Sequence, residues 1–182
     1  MAFPTETVYG LAVRAGDRLA RRKLSRIKGR PGRKPFQVLV TSLRRARELC
    51  GGMSPLASRL ARAFWPGALT LVVRARNGRW VGLRFPDHPV ARSLARRAGG
   101  ALVATSANLS GGRPACTARA VVQALGARVD MVLDGGNAPL GRPSSVVRVQ
   151  ENGWELLREG AIRRRALTHA AGMPPVKHGG SS

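Results

Sequence analysis

Apolar positions along this chain change their spacing repeatedly. From Asp17 to Lys28 they fall at Leu19, Leu24 and Ile27, a helical spacing, with Asp17 placed to cap the segment and Gly29 to end it. "FQVLVTS" (36–42) is a short apolar run of strand type, and Ser42 opens a further helix that the Gly51-Gly52 pair stops. Ser54 followed by Pro55 is an N-cap with proline at the first helical position, leading a helix towards Trp65. "ALTLVVRARNGRWVGLRFP" (68–86) reads as two strands joined at Asn77-Gly78, a dipeptide that tolerates a primed turn. A helix over about 89–97 leads to the strand "ALVATSA", and Thr117 caps a helix ending near Gly126. "VDMVLDGG" (129–136) reads as a strand, and "SSVVRVQENGWELLR" (144–158) as a second Asn-Gly hairpin.

Strands that alternate with helices but also pair in hairpins predict a mixed sheet rather than an all-parallel one. The expected fold is therefore α/β, a single domain with a twisted, mixed parallel and antiparallel sheet flanked by helices. No internal repeat or linker interrupts it. The domain is expected over 1–170, with a disordered Pro/Gly/Ser-rich tail over 171–182.

The chain's 182 residues suit one domain, and a 43% hydrophobic content is enough to build a core. Thirty-two basic residues against nine acidic ones give a net charge of +23, which points to an anionic partner. Arginines outnumber lysines 28 to 4, and many sit on helix faces, so part of this charge is compositional. Cys50 and Cys116 lie far apart and read as inert thiols, and His88, His169 and His178 follow no ligand spacing. No apolar run reaches the ~18 residues needed to span a membrane, and no signal peptide precedes Phe3. The expected location is the cytoplasm.

Standard phosphate signatures are absent: there is no P-loop, no G-x-G-x-x-G after a strand, and no G-x-S-x-G elbow. "KGRPGRKPF" (28–36) gathers Lys28, Arg30, Arg33 and Lys34 in a loop stiffened by Pro31 and Pro35. Two readings stand for it, a solvated basic surface or a cradle for a polyphosphate. "ATSANLSGG" (104–112) places Thr105, Ser106 and Asn108 where a buried strand ends, either as a plain turn or as donors to a ligand. Arg84 emerges from an apolar strand before Pro86 and needs an anion, internal or bound; Arg158 after "WELL" raises the same question. The polar cluster Thr5-Glu6-Thr7 near the start suits a wall for a small polar substrate.

In order, "PTETVYGL", "KGRP", "VGLRFPDHP", "TSANLSG", "DGG" and the Ser-Ser-Val strand resemble the YrdC/TsaC family of threonylcarbamoyl-adenylate synthases, over about Pro4 to Gly160. The resemblance implies a YrdC-like domain with a concave basic face. It implies a nucleotidyltransferase that makes threonylcarbamoyl-AMP and pyrophosphate from L-threonine, bicarbonate or CO2, and ATP with Mg2+. The product is passed to the tRNA machinery that makes N6-threonylcarbamoyladenosine at position 37.

The Lys-x-Arg and Ser-x-Asn signature falls on Lys28, Arg30, Ser106 and Asn108, which the resemblance assigns to catalysis, with Lys28, Arg30 and Ser106 on ATP. Threonine contacts fall on Thr5, Arg84 and Ser144, and further ATP contacts on Arg113 and Arg158. No metal ligand is implied on the protein itself. Leu39 stands where some members have His, Trp80 replaces a frequent Thr near the nucleotide, and the chain starts almost on "PTET", so an N-terminal edge element is expected to be missing. Alternatives are a non-catalytic double-stranded RNA binder of the same fold and a carbamoyl-phosphate-using carbamoyltransferase. The second is disfavoured because no zinc-finger cysteines are present.

Overall fold

A computed structural model describes residues 1–29 and 36–176. Eight strands form one sheet: β1 (Ala2–Phe3), β2 (Gly10–Arg14), β3 (Gln37–Val40), β4 (Leu69–Arg74), β5 (Trp80–Arg84), β6 (Ala101–Ser106), β7 (Ser145–Gln150) and β8 (Gly153–Arg158). Their order is β1-β2-β6-β3-β5-β4-β7-β8. The pairs β3/β5 and β4/β7 are parallel and the rest antiparallel, so the sheet is mixed as the pattern predicts.

The helices are α1 (Arg18–Lys28), α2 (Leu43–Cys50), α3 (Pro55–Phe64), α4 (Pro89–Arg97), α5 (Ala118–Leu125) and α6 (Arg164–Ala171). Four begin at the caps the sequence offers. Asp17, Ser42, Ser54 and Thr117 each accept a backbone N–H three residues on, satisfying a donor the first turn would leave open.

Strand alternation decides which face carries the site. On β4, Leu69, Leu71 and Val73 enter a core shared with α2, α3 and α6, while Thr70 and Val72 point the other way. Leu11, Val103 and Val121 join Leu24 in a second core beneath α1 and α5. One face is thus covered across the sheet. On the opposite face α4 places Ala91 and Ala95 in a smaller cluster with Phe3, Ala12, Leu39, Leu102 and Ala104. The β5-β4-β7-β8 half of that face is left open.

Several local expectations are corrected. Leu19, expected on the buried side of α1, is 75% exposed, because it lies about 140° round the helix from Leu24. Lys28, one turn after Leu24, takes the buried position instead. Neither Asn-Gly pair forms a primed turn, since no non-glycine residue among the described ones has positive φ. Gly78, at φ 74°, closes a three-residue loop with a bulge, whereas Gly153 belongs to β8 and pairs with Gln150. "VDMVLDGG" is not a strand: a 3-10 turn (Gly126–Arg128) precedes it, and only Val132 bridges to the two-residue β1.

Of the tail expected over 171–182, Val176 N–H donates to Trp154 O and Trp154 Nε1 to Met173 O, while residues 177–182 lie outside the described residues. Both cysteines are free, and burial pushes the Cys50 thiol up to about 11. Because the thiolate is the reactive form, Cys50 is expected to resist iodoacetamide at pH 8 in the native protein while the partly exposed Cys116 reacts. Mass spectrometry reads this directly, and equal labelling contradicts it.

Candidate functional site

On the open half of the sheet lies a cavity of about 200 Å³. Residues from both ends of the chain line it, among them Thr5, Arg84, Ser106, Ser144 and Arg158. Five of the residues given a catalytic or binding role from the sequence therefore meet in one place. Lys28 and Asn108 stand behind Ser106, Arg113 is exposed outside the cavity, and Arg30 lies outside the described residues.

The segment 4–9 folds over the upper end of β6 as one wall. Thr5 Oγ1 donates to Val8 O at 2.6 Å and accepts the N–H groups of Thr7 and Val8, so its hydroxyl closes a turn. Its one proton being committed, Thr5 Oγ1 accepts from Thr7 Oγ1 at 2.9 Å. Tyr9 Oη accepts from Gly135 N–H and donates to Gly136 O, docking the "DGG" segment behind this wall. Gly135 has to lack a side chain, because a Cβ there would meet Pro4 Cγ at 2.6 Å.

Arg84, only 3% exposed, finds its anion inside the protein. Nη2 lies 2.7 Å from Glu6 Oε1 and donates to Thr7 Oγ1 at 2.8 Å, and Nε donates to Gly67 O at 3.2 Å. The Glu6 contact is a charge pair not aligned as a hydrogen bond, and both Glu6 oxygens lack a donor among the described residues. The internal alternative thus holds for part of the guanidinium, with Glu6 as partner. Nη1 makes no hydrogen bond among the described residues, which leaves donors for a ligand.

Lys28 is buried to 1% exposure. Its ammonium donates to Ser106 O, Asn108 O and Asn108 Oδ1 at 2.8, 2.5 and 3.0 Å. Ser106 Oγ donates to Asn108 Oδ1, Asn108 Nδ2 donates to Leu109 O and Gly112 O, and Ser110 Oγ donates to Lys28 O. The Lys28, Ser106 and Asn108 members of the signature are thereby one latch, pinning the loop after β6 to the C-terminus of α1.

The floor is a row of four polar residues, of which the sequence pointed to Ser144 and Arg158 but not to Gln37 and Thr70. Gln37 on β3, Thr70 on β4, Ser144 before β7 and Arg158 on β8 are joined in sequence by hydrogen bonds. Arg158 also clamps Ser144 O through Nε and Nη2. Gly160 lets the two segments close, since a Cβ there would sit 2.2 Å from Pro143 O. A signal was present: Gln37 and Thr70 are polar residues inside otherwise apolar strand runs. Leu39 lines the cavity beside them, and Trp80, outside it, stacks against Arg74 with the cation 4.2 Å from the ring centroid. Among the described residues no cluster of His, Cys, Asp or Glu is arranged to hold a metal ion.

Comparison with known proteins bears on the family and the fold. The Bacillus subtilis protein named threonylcarbamoyl-AMP synthase is 36% identical over 98% of this chain and 55% of its own length. The protein of that name from Thiobacillus denitrificans is 38% identical over 81% of this chain and 82% of its own length. The structure of Pyrococcus abyssi Sua5 complexed with L-threonine superposes with a TM-score of 0.88 at 31% identity, covering 97% of this chain and 54% of that one. The chain thus spans about half the length of the Bacillus and Pyrococcus proteins. The family profile Sua5_yciO_yrdC, described as "Telomere recombination", matches residues 1–160, a span that holds all the cavity-lining residues named above. With the motif order, the superposed sheet and that profile in agreement, the chain belongs to the Sua5/YciO/YrdC family.

Proposed function

We propose that this domain forms threonylcarbamoyl-AMP and pyrophosphate from L-threonine, bicarbonate or CO2, and ATP, for the modification of tRNA adenosine 37 in the cytoplasm. One observation carries the reading. Residues assigned to threonine (Thr5, Arg84, Ser144) and residues assigned to ATP (Ser106, Arg158) come from distant segments yet line one cavity. The synthase name of the relatives and the L-threonine bound to Pyrococcus abyssi Sua5 support it, and they favour it over the duplex-RNA reading.

The reaction joins two anions, since a carbamate oxygen attacks the α-phosphorus, so the protein's task is to align them and offset their charge. Arg84 offers its Nη1 protons to the threonine carboxylate. Ser106 faces the phosphates, held in place by Asn108 and Lys28 behind it, and Arg158 and Arg30 add positive charge. The residues do not fit a resident Mg2+, because among the described residues no carboxylate lines the cavity, and Glu6 beside its wall is buried against Arg84. Mg2+ therefore enters as part of the nucleotide substrate.

Pyrophosphate release from ATP is expected only when threonine and bicarbonate are both supplied. Equal release with threonine omitted would remove the assignment.

A further inference from the structure

The floor row has a direction. Gln37 Oε1 carries no proton, so the 2.9 Å contact with Thr70 Oγ1 uses the Thr70 proton. Thr70 Oγ1 is then an acceptor in its 2.8 Å contact with Ser144 Oγ, which gives up the serine proton. Ser144 Oγ in turn accepts from Arg158 Nη2 at 3.3 Å. Donation runs one way, from Arg158 through Ser144 and Thr70 to Gln37. Both hydroxyls therefore meet the cavity with lone pairs only. Gln37 Nε2 makes no hydrogen bond among the described residues and adds a donor beside the Thr70 acceptor.

The bridge from Gln37 to Thr70 crosses a strand. Gly82 on β5 pairs with Gln37 on one side and Val72 on the other. A Cβ at this position would rest 3.5 Å from Thr70 Cγ2 and 3.6 Å from Gln37 Cβ, so alanine fits but a branched side chain fills the path of the bond.

We propose that Gln37 is a specificity-determining residue that reads the side-chain hydroxyl of the amino-acid substrate; the inference rests on the amino-acid reading of the cavity given above. A hydroxyl is donor and acceptor at once. Its proton goes to Thr70 or Ser144, and its lone pair receives Gln37 Nε2. An isosteric methyl group would leave all of these unmatched. A site built to hydrogen-bond a hydroxyl rejects the analogue lacking it far more strongly than a merely apolar pocket does.

The test is calorimetric binding of L-threonine and L-valine to the wild-type protein and to Gln37→Met, with pyrophosphate release measured in parallel. Gln37→Met keeps the shape but has neither acceptor nor donor. The threonine-to-valine preference is expected to fall at least about 10-fold, through weaker threonine binding, with ATP affinity and melting temperature little changed. A preference within about twofold of wild type overturns the proposal, as does a parallel loss of ATP binding. Gly82→Val leaves Gln37 in place and interrupts the bond, so it covers the case in which Gln37→Met fails to fold; it is expected to lose the same preference, and an unaltered preference overturns the proposal. Failure of the synthase reading looks different: wild-type protein releases no threonine-dependent pyrophosphate, while the binding preference still reports on Gln37.

Discussion

Arg84→Met is expected to destabilise the domain by about 3–5 kcal/mol, because it leaves the Glu6 carboxylate buried without a counter-charge. At this chain length that corresponds to a fall in Tm of roughly 6–20 °C. Glu6→Gln should lose less, since the amide is neutral and the Arg84 Nη2 contact with Thr7 Oγ1 survives. The double variant should recover much of the loss, as buried pairs replaced together often do. Urea unfolding of all four proteins gives the coupling energy, and additivity of the two single changes within about 0.5 kcal/mol would show that the pair is not coupled. Arg84→Lys separates stability from function. It keeps a charge near Glu6 but loses the planar fork, so the apparent threonine affinity should drop about 10- to 100-fold, the equivalent of ~1.5–3 kcal/mol, with ATP affinity almost unchanged. Equal weakening of both ligands would confine Arg84 to its internal role.

Lys28→Met is expected to lower turnover by roughly 10²-fold or more while keeping the aliphatic stem packed. Asn108 O would be left without a donor among the described residues, Ser106 O and Asn108 Oδ1 would each lose a charged one, and the Ser106–Asn108 loop would come off α1. Lys28→Arg gives the sharper result. A compact ammonium suits three converging oxygens and a flat guanidinium does not, so this variant should be as damaged as Lys28→Met. Near-normal turnover in Lys28→Arg would mean that only the charge matters and that the latch is incidental.

The local grammar of the chain was readable in advance because caps and strand alternation act over a few residues. Asp17, Ser42, Ser54 and Thr117 could each be placed before any fold was known. The turns were less readable: an Asn-Gly pair allows a primed turn, but loop length and strand register decide whether one forms, and both hairpins took another route. "VDMVLDGG" has strand composition, yet β1 offers an edge of two residues, so only Val132 pairs. Motifs identified Thr5, Arg84, Ser106, Ser144 and Arg158 as candidates but not what they hold. The pairing of Arg84 with Glu6 spans the distance from the first loop to the fifth strand, and no local pattern encodes it. Gln37 and Thr70 were visible only as polar interruptions, whose meaning depends on both facing the cavity.

The parallel pairing of β4 with β7 brings Leu69 against Ser145, residues more than seventy positions apart. Closing so long a loop is slow and gains nothing until the strands meet. During synthesis a chain that has reached only β6 already contains Thr5, Arg84 and Ser106, but it has no Ser144 or Arg158 to complete the floor beneath them. The cavity therefore comes into being in a single late step, when the last hairpin docks, and a chain cut short before Arg158 holds half a binding surface with nothing to close it.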